Sequence, residues 1–176
     1  LVARALGFRP LQVVVAYDAL AIWVHRDNPL RRLTLEQLDA IYSDARNQGW
    51  EVPIRTWGDL GLRGPWKRRE IVPYGRDALS GTRSFFDELA LARGQVNRAF
   101  QVAGDQWAVV EAPGRDPRGI SYGPITYAEP GVRQVPIVLE DVPDLVTLMS
   151  FHPPVSPTTL LGSVQGPSLA EREAGG

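Results

Sequence analysis

The chain has 176 residues, 44% of them hydrophobic and 22% charged, which is ordinary for one globular domain or for one domain with part of a second. A formal net charge of -1 argues against a nucleic-acid partner, because binding to backbone phosphates favours a clear excess of Lys and Arg. The absence of cysteine excludes a disulfide scaffold, a thiolate metal site and a cysteine nucleophile. No apolar run approaches the roughly 20 residues that span a bilayer.

The first part of the chain predicts buried strands, then a helix, then a long loop. Residues 12–25 are rich in Val, Ile, Tyr and Trp and predict one or two buried strands, with Asp18 as a polar break. In the segment 33–42, Thr34 and Gln37 have the spacing of a capping box, and the apolar residues recur at helical spacing. The following residues, 43–69, are rich in Gly and Pro and predict a loop.

Two features of this loop each allow two interpretations. The tryptophans at positions 50, 57 and 66 either pack a satellite core under the loop or form a platform for stacking a sugar. The basic residues Arg63, Lys67, Arg68 and Arg69 either form a solvated surface or provide a weak positive field that attracts anions.

The second part of the chain alternates strands and helices. Residues 70–74 predict a short strand, and residues 81–93 predict a helix whose buried stripe is Phe85, Phe86, Leu89 and Ala92 and which ends at Gly94. The remaining predictions are a helix or turn followed by a strand at 107–110, a turn at 116–119, and strands at 120–127 and 134–139. This alternation indicates an α/β fold with a partly parallel sheet. From about residue 141 many Pro, Ser, Thr and Gly residues predict an irregular extension.

The turn at residues 76–82 has the features of an oxyanion site. The first N–H groups of a helix lack partners within it and lie at the positive end of its macrodipole. Ser80 and Thr82 add hydroxyl donors, Gly81 allows close approach of the backbone, and Arg76 offers a planar guanidinium. The alternative is that Ser80 only caps the helix. A nucleophilic Ser80 is disfavoured because no G-x-S-x-G is present and only His25 and His152 could act as a base.

Several segments, taken in order, resemble the phosphate-binding proteins of bacterial ABC-type phosphate uptake, in the PstS-like branch of the periplasmic binding proteins. They are VAYDALAIWVHRDNP (15–29), LTLEQLDAIY (33–42), TWGDLGL (56–62), YGRDALSGTRSFFDE (74–88) and GISYGPITYAEPGVRQVPI (119–137). The resemblance implies an α/β, type II Venus-flytrap fold, in which two lobes close on one ligand. A mixed sheet flanked by helices is expected for the lobe present here, with the first lobe largely missing.

The resemblance also implies the ligands. In that family the second lobe contributes an Arg followed by Ser-Gly-Thr at a helix start, and these positions are Arg76, Ser80, Gly81 and Thr82; Asp77 and Arg83 are secondary candidates. The acidic residue that family members often carry two positions before the Ser, where it accepts the proton of a protonated phosphate, is replaced by Ala78. Selectivity for phosphate over sulfate therefore stays open.

By this resemblance, residues 1–20 are expected to be a segment near the hinge, 21–140 the second lobe, and 141–176 an irregular C-terminal extension. The expected function is binding of inorganic phosphate, or of a similar tetrahedral oxyanion, as the solute-binding component for an ABC permease. Such a protein is not an enzyme, needs no cofactor or metal, and is periplasmic or extracellular, peripheral to the membrane or anchored to it. The alternatives are a sensing or interaction module built on the same lobe and, less favoured, a serine hydrolase.

Overall fold

The computed structural model describes residues 19–138 and the backbone of Met149–Ser150. In this part of the chain the helices are α1 (Leu35–Tyr42), α2 (Gly81–Leu89) and α3 (Gln106–Arg115), with a short 3-10 helix at Gly64–Trp66. The strands are β1 (Ala19–His25), β2 (Leu33–Thr34), β3 (Val72–Gly75), β4 (Gln101–Val102), β5 (Gly119–Pro124), β6 (Val132–Val135), β7 (Ile137–Val138) and β8 (Met149–Ser150). None of these helices combines the length and the apolar character needed to cross a bilayer.

The main sheet is mixed, as the alternation of elements predicts. Its strand order is β4-β3-β5-β1-β6, and β8 also pairs with β1. Strand β3 runs parallel to β4 and β5, whereas β1 runs antiparallel to β5 and β6. The carboxyl ends of β3, β4 and β5 therefore meet at one edge of the sheet, together with the beginning of β1. A separate parallel pair is formed by β2 and β7.

Helices cover both faces of β1, which explains why this strand is apolar on both sides. Leu20, Ile22 and Val24 belong to the large core that includes residues of α1 and α2. Ala21 and Trp23 point to the other face, where they form a smaller cluster with Val110 of α3 and Val132 of β6. The result is a three-layer α/β arrangement.

The capping box of α1 is confirmed. Gln37 N–H donates to Thr34 Oγ1 at 3.3 Å, and Thr34 N–H donates to Gln37 Oε1 at 3.1 Å. Both bonds join residues three positions apart, so the local sequence is sufficient to specify the start of this helix.

The strand predicted at 107–110 is wrong, because these residues lie inside α3. Asp105 caps α3 by accepting the N–H of Ala108 at 2.9 Å. Val109 and Val110 are fully buried, so their packing outweighs the preference of β-branched residues for strands.

Helix α2 begins at Gly81, as predicted, but ends at Leu89. Ala92 and Arg93 have φ values of 43° and 65°, in the left-handed region that ends a helix. The predicted stripe is also partly wrong. Phe86 is buried, but Phe85 is only partly buried, Leu89 is 37% exposed and Ala92 is exposed, whereas Arg83 is buried.

The loop tryptophans belong to the main core, not to a satellite core. Trp57 is fully buried there, and Trp50 and Trp66 pack against it. Two backbone hydrogen bonds join the loop to the residues just before β3. Trp57 N–H donates to the Arg69 carbonyl, and Ile71 N–H donates to the Arg55 carbonyl. The Arg69 guanidinium lies over the ring of Trp66, 4.3 Å from its centroid. It covers a ring face that a sugar would need for stacking.

Aromatic rings pack beneath the end of β3. Phe86 and Tyr122 are stacked, with ring centroids 3.8 Å apart, and Tyr42 meets Phe86 edge-on at 4.8 Å. The Tyr42 hydroxyl lies 3.2 Å from the Tyr74 carbonyl and 3.1 Å from the Ile120 carbonyl, so it joins β3 to β5. The strand that leads into the predicted site is thereby fixed to the core.

Candidate functional site

The turn between β3 and α2 lies at the sheet edge where parallel strands end. Strand β3 ends at Gly75, and α2 begins at Gly81. In open α/β sheets, ligands bind outside the carboxyl ends of the strands, so this edge is the expected position of a site. The structure places Arg76, Ser80, Gly81 and Thr82 together on this short connection.

Ser80 is the N-cap of α2, and its cap bonds determine which helix donors stay available. Its Oγ accepts the N–H of Arg83 at 3.4 Å, and its carbonyl accepts the N–H of Ser84 at 3.0 Å. Among the described residues, the N–H groups of Gly81 and Thr82 have no hydrogen-bond acceptor. Two donors at the positive end of the helix are therefore free to bind an anion.

Arg76 follows β3 directly. Its backbone N–H donates to the Tyr122 hydroxyl at 3.3 Å, which fixes the point where the chain leaves the strand. Its Nε is buried and has no hydrogen-bond partner among the described residues. A buried guanidinium N–H without an acceptor is costly, and an oxyanion would supply one.

Asp77 shapes the turn. Its Oδ1 accepts the N–H of Leu79 at 2.9 Å, and its carbonyl accepts the N–H of Ser80 at 3.2 Å. The Oδ2 atom lies 3.8 Å from Arg76 Nη2. Asp77 thus lies beside Arg76, and its role as a secondary ligand stays a prediction.

The space at Gly81 is open. A Cβ atom placed on this glycine would meet no other atom within 4 Å, so packing within the described residues does not explain the glycine. At Thr82, the Oγ1 atom accepts a hydrogen bond from Gln106 Nε2 at 2.9 Å. Because Gln106 is the first residue of α3, this bond joins the starts of two helices.

The Arg83 side chain contacts the turn through the Arg76 carbonyl. Its Nε donates to both carboxylate oxygens of Asp87, at 2.7 and 2.8 Å, and its Nη1 donates to the Arg76 carbonyl at 3.2 Å. The guanidinium carbon lies 4.5 Å from the ring centroid of Phe100. With Nε and Nη1 engaged in this way, Arg83 is positioned to support the turn; its contact with an anion stays a prediction.

Burial raises the pKa of two groups near the turn. It raises the pKa of the Tyr122 hydroxyl, so this group remains protonated and neutral beside Arg76. Burial also raises the pKa of the Asp87 carboxyl, although the hydrogen bonds from Arg83 act in the opposite direction. In residues 19–138 no group of three His, Asp or Glu side chains is arranged to hold a metal ion.

Other sequence candidates lie away from this turn or outside the described residues. His25 ends β1, which runs antiparallel to β5, so it lies at the opposite edge of the sheet from Ser80. His152 lies outside the described residues. The basic residues at positions 63 and 67–69 lie before the start of β3, whereas Arg76 follows its end, and the four residues of this strand span about 13 Å.

Two residues beside the turn were not predicted from the sequence. Gln106 contacts Thr82 across 24 positions of sequence, and Tyr122 contacts Arg76 across 46. The only local signal for Gln106 was Asp105, a good N-cap residue immediately before it. Because residues 107–110 were predicted to form a strand, Asp105 was not interpreted as the cap of a helix.

A model described as the PBP superfamily domain matches residues 2–134. The phosphate-binding protein PstS of Pseudomonas aeruginosa is 38% identical over 135 residues, which are 77% of this chain and 42% of that protein. The chain therefore spans less than half the length of this relative.

Solved structures agree with the observed fold. An ABC-type phosphate transport receptor from Vibrio cholerae is 25% identical, with a TM-score of 0.59 over 71% of this chain and 48% of the receptor. A phosphate ABC transporter substrate-binding protein from Clostridium perfringens, solved with bound phosphate, is 26% identical, with a TM-score of 0.58 over 73% of this chain and 53% of that protein. The chain belongs to the PBP superfamily, and within it is similar to PstS-type phosphate-binding proteins.

Proposed function

We propose that this chain binds inorganic phosphate, or a similar tetrahedral oxyanion, on the turn from Arg76 to Thr82. The observation that carries the proposal is the convergence of unpaired donors on one short turn. The N–H groups of Gly81 and Thr82 and the buried Nε of Arg76 have no acceptor among the described residues. A tetrahedral oxyanion presents several acceptor oxygens and can satisfy such donors together.

The similarity to phosphate-binding relatives supports a specific biological setting. In this proposal, residues 21–140 are the second lobe of a solute-binding protein, and residues 1–20 lead to its hinge. The protein delivers phosphate to an ABC permease from a periplasmic or extracellular position at the membrane. The relatives are named as binding proteins and transport receptors, which supports binding and not hydrolysis. The position of His25 also disfavours a Ser80 nucleophile, because His25 lies at the opposite sheet edge.

The test is a titration of the 176-residue chain with inorganic phosphate, followed by NMR at the backbone amides of Gly81 and Thr82. We expect saturable shifts at these two amides. Arg76→Ala should weaken binding at least tenfold, because a charge-assisted hydrogen bond contributes about 1.5–3 kcal/mol. Sulfate, titrated in parallel, measures the selectivity that the Ala78 position leaves open.

The matched control is Arg115→Ala. Arg115 is the last residue of α3, at the far end from Gln106, and pairs with Glu111. This change removes the same charge from the chain but leaves the turn intact, so phosphate binding should be unchanged. Equal effects of the two substitutions, or no shift at Gly81 and Thr82 at millimolar phosphate, would contradict the proposed site.

A further inference from the structure

The hydrogen bond between the starts of α2 and α3 has a direction that bears on the site. Gln106 Nε2 donates to Thr82 Oγ1 at 2.9 Å, in a partly buried position. A threonine hydroxyl has one proton to donate and two lone pairs to accept with. Because the amide uses a lone pair of Thr82 Oγ1, the hydroxyl proton is left for another acceptor.

We propose that Gln106 is a positioning residue of the oxyanion site, which keeps the Thr82 hydroxyl as a donor toward the bound anion. This inference rests on the proposed function. Gln106 acts through Thr82 and is not itself a ligand. An amide that donates to the hydroxyl oxygen also polarises it, which strengthens the hydrogen bond that the hydroxyl then gives.

The other hydroxyl of the turn has the same arrangement. Ser80 Oγ accepts the backbone N–H of Arg83, so its proton is also left available. Ser84, in the same helix, shows the alternative, because its Oγ donates to the Ser80 carbonyl at 3.3 Å. A hydroxyl engaged in that way has already used its proton. The two hydroxyls predicted to bind the anion are thus the two that receive N–H donors.

The test is a double-mutant cycle with Gln106→Met, Thr82→Val and the combination of both, in the 176-residue chain. Methionine keeps the length of the side chain but has no N–H donor. We expect Gln106→Met alone to raise the dissociation constant for phosphate about three- to tenfold, the usual worth of one hydrogen bond. In the Thr82→Val background, Gln106→Met should have no further effect, because the hydroxyl through which it acts is gone.

Gln101→Met is the matched control. Gln101 is an exposed residue of β4, and its amide donates to the Ala99 carbonyl. This variant should bind phosphate as the unchanged chain does. Gln106→Met should still unfold in one cooperative urea transition and be fully folded under the conditions of the titration, so that weaker binding does not reflect unfolding.

A measurement without phosphate tests the hydrogen bond itself. The side-chain amide resonances of Gln106 should move in the Thr82→Val variant, and those of Gln101 should not. Unmoved Gln106 resonances would overturn the inference, as would a Gln106→Met effect of equal size with and without the Thr82 hydroxyl. If the unchanged chain binds phosphate and Gln106→Met binds it equally well, the inference alone fails. If the unchanged chain does not bind phosphate, the proposed function fails and the inference fails with it.

Discussion

Arg83 Nε donates to both carboxylate oxygens of Asp87, at 2.7 and 2.8 Å, one helical turn further along α2. The same Arg83 gives its backbone N–H to Ser80 Oγ and its Nη1 to the Arg76 carbonyl. One residue therefore contacts both ends of the turn that carries the predicted ligands, and Asp87 holds that residue in place. The ion pair between Arg83 and Asp87 therefore helps to fix the conformation of the turn.

Arg83→Ala should lower the free energy of unfolding by about 1–3 kcal/mol, because the half-buried Asp87 carboxylate loses its charged partner. It should also weaken phosphate binding, since the turn loses the hydrogen bond from Arg83 Nη1 to the Arg76 carbonyl, whereas the backbone N–H that Ser80 Oγ accepts is kept. Urea denaturation and phosphate titration measure the two effects.

A second arginine, four residues after the end of α2, provides the comparison. Arg93 pairs with Glu88, but both side chains are largely exposed. Exposed pairs contribute little to stability, so Arg93→Ala should leave the urea midpoint and phosphate binding unchanged. Equal losses in the two variants would show that Arg83 has no special role in the turn.

The pH dependence of stability should reveal the burial of Asp87. Burial raises the pKa of this carboxyl above its ordinary value of about 3.9, so the native state holds the proton to a higher pH than the unfolded chain does. The corresponding contribution to stability is complete below about pH 4 and is lost as the pH rises through the folded pKa. Asp87→Asn lacks this titration.

The measurement is the free energy of unfolding of the unchanged chain and of Asp87→Asn between pH 4 and pH 7. We expect the stability of the unchanged chain relative to the variant to fall as the pH rises. The opposite slope would mean that the attraction of Arg83 for the ionised carboxylate outweighs burial, and that the folded pKa is lowered.

Two glycines that flank the turn should respond differently to alanine. At Gly75, an added Cβ would lie 2.6 Å from the Tyr122 hydroxyl and 2.8 Å from a ring carbon of Phe100. Gly75→Ala should therefore destabilise the chain by about 1–3 kcal/mol, as overpacking does. At Gly81 the space is open, so Gly81→Ala should keep the stability and weaken only phosphate binding. Thermal unfolding and titration separate the effects; a destabilised Gly81→Ala would contradict this assignment.

Tyr42→Phe should destabilise the strand that carries Arg76. The Tyr42 hydroxyl lies within hydrogen-bond distance of carbonyls on β3 and β5, and it is buried. Its loss should cost about 1–2 kcal/mol in urea denaturation. Tyr74→Phe removes a hydroxyl whose bond to Asp116 is closer to solvent, and its effect should be smaller. An equal or larger loss of stability in Tyr74→Phe would contradict the proposed importance of the Tyr42 hydroxyl in joining β3 to β5.

The sequence predicted the features that depend on neighbouring residues. The capping box of α1 and the start of α2 were confirmed, because each rests on hydrogen bonds that join residues three positions apart. The mixed α/β fold also followed from the alternation of strand and helix patterns. The end of α2 was misplaced because nothing in the local pattern indicated the left-handed backbone at Ala92 and Arg93.

The parts of the site that depend on distant residues could not be predicted. Val109 and Val110 resemble a strand in isolation, and their burial against the sheet stabilises them in a helix. Gln106 reaches Thr82 only once α2 and α3 lie side by side. The burial of Arg83 was hidden for the same reason, since its partner Asp87 is local but the ring of Phe100 is not.

The stacked rings of Phe86 and Tyr122 beneath the turn have a consequence for the entropy of binding. Because the Tyr122 hydroxyl anchors Arg76 and Phe86 belongs to α2, the backbone on both sides of the turn is ordered when the chain folds. An arriving anion would then find its donors already arranged. Little conformational freedom of the protein would be lost on binding, and the entropy change would come mainly from water released by the anion and the turn.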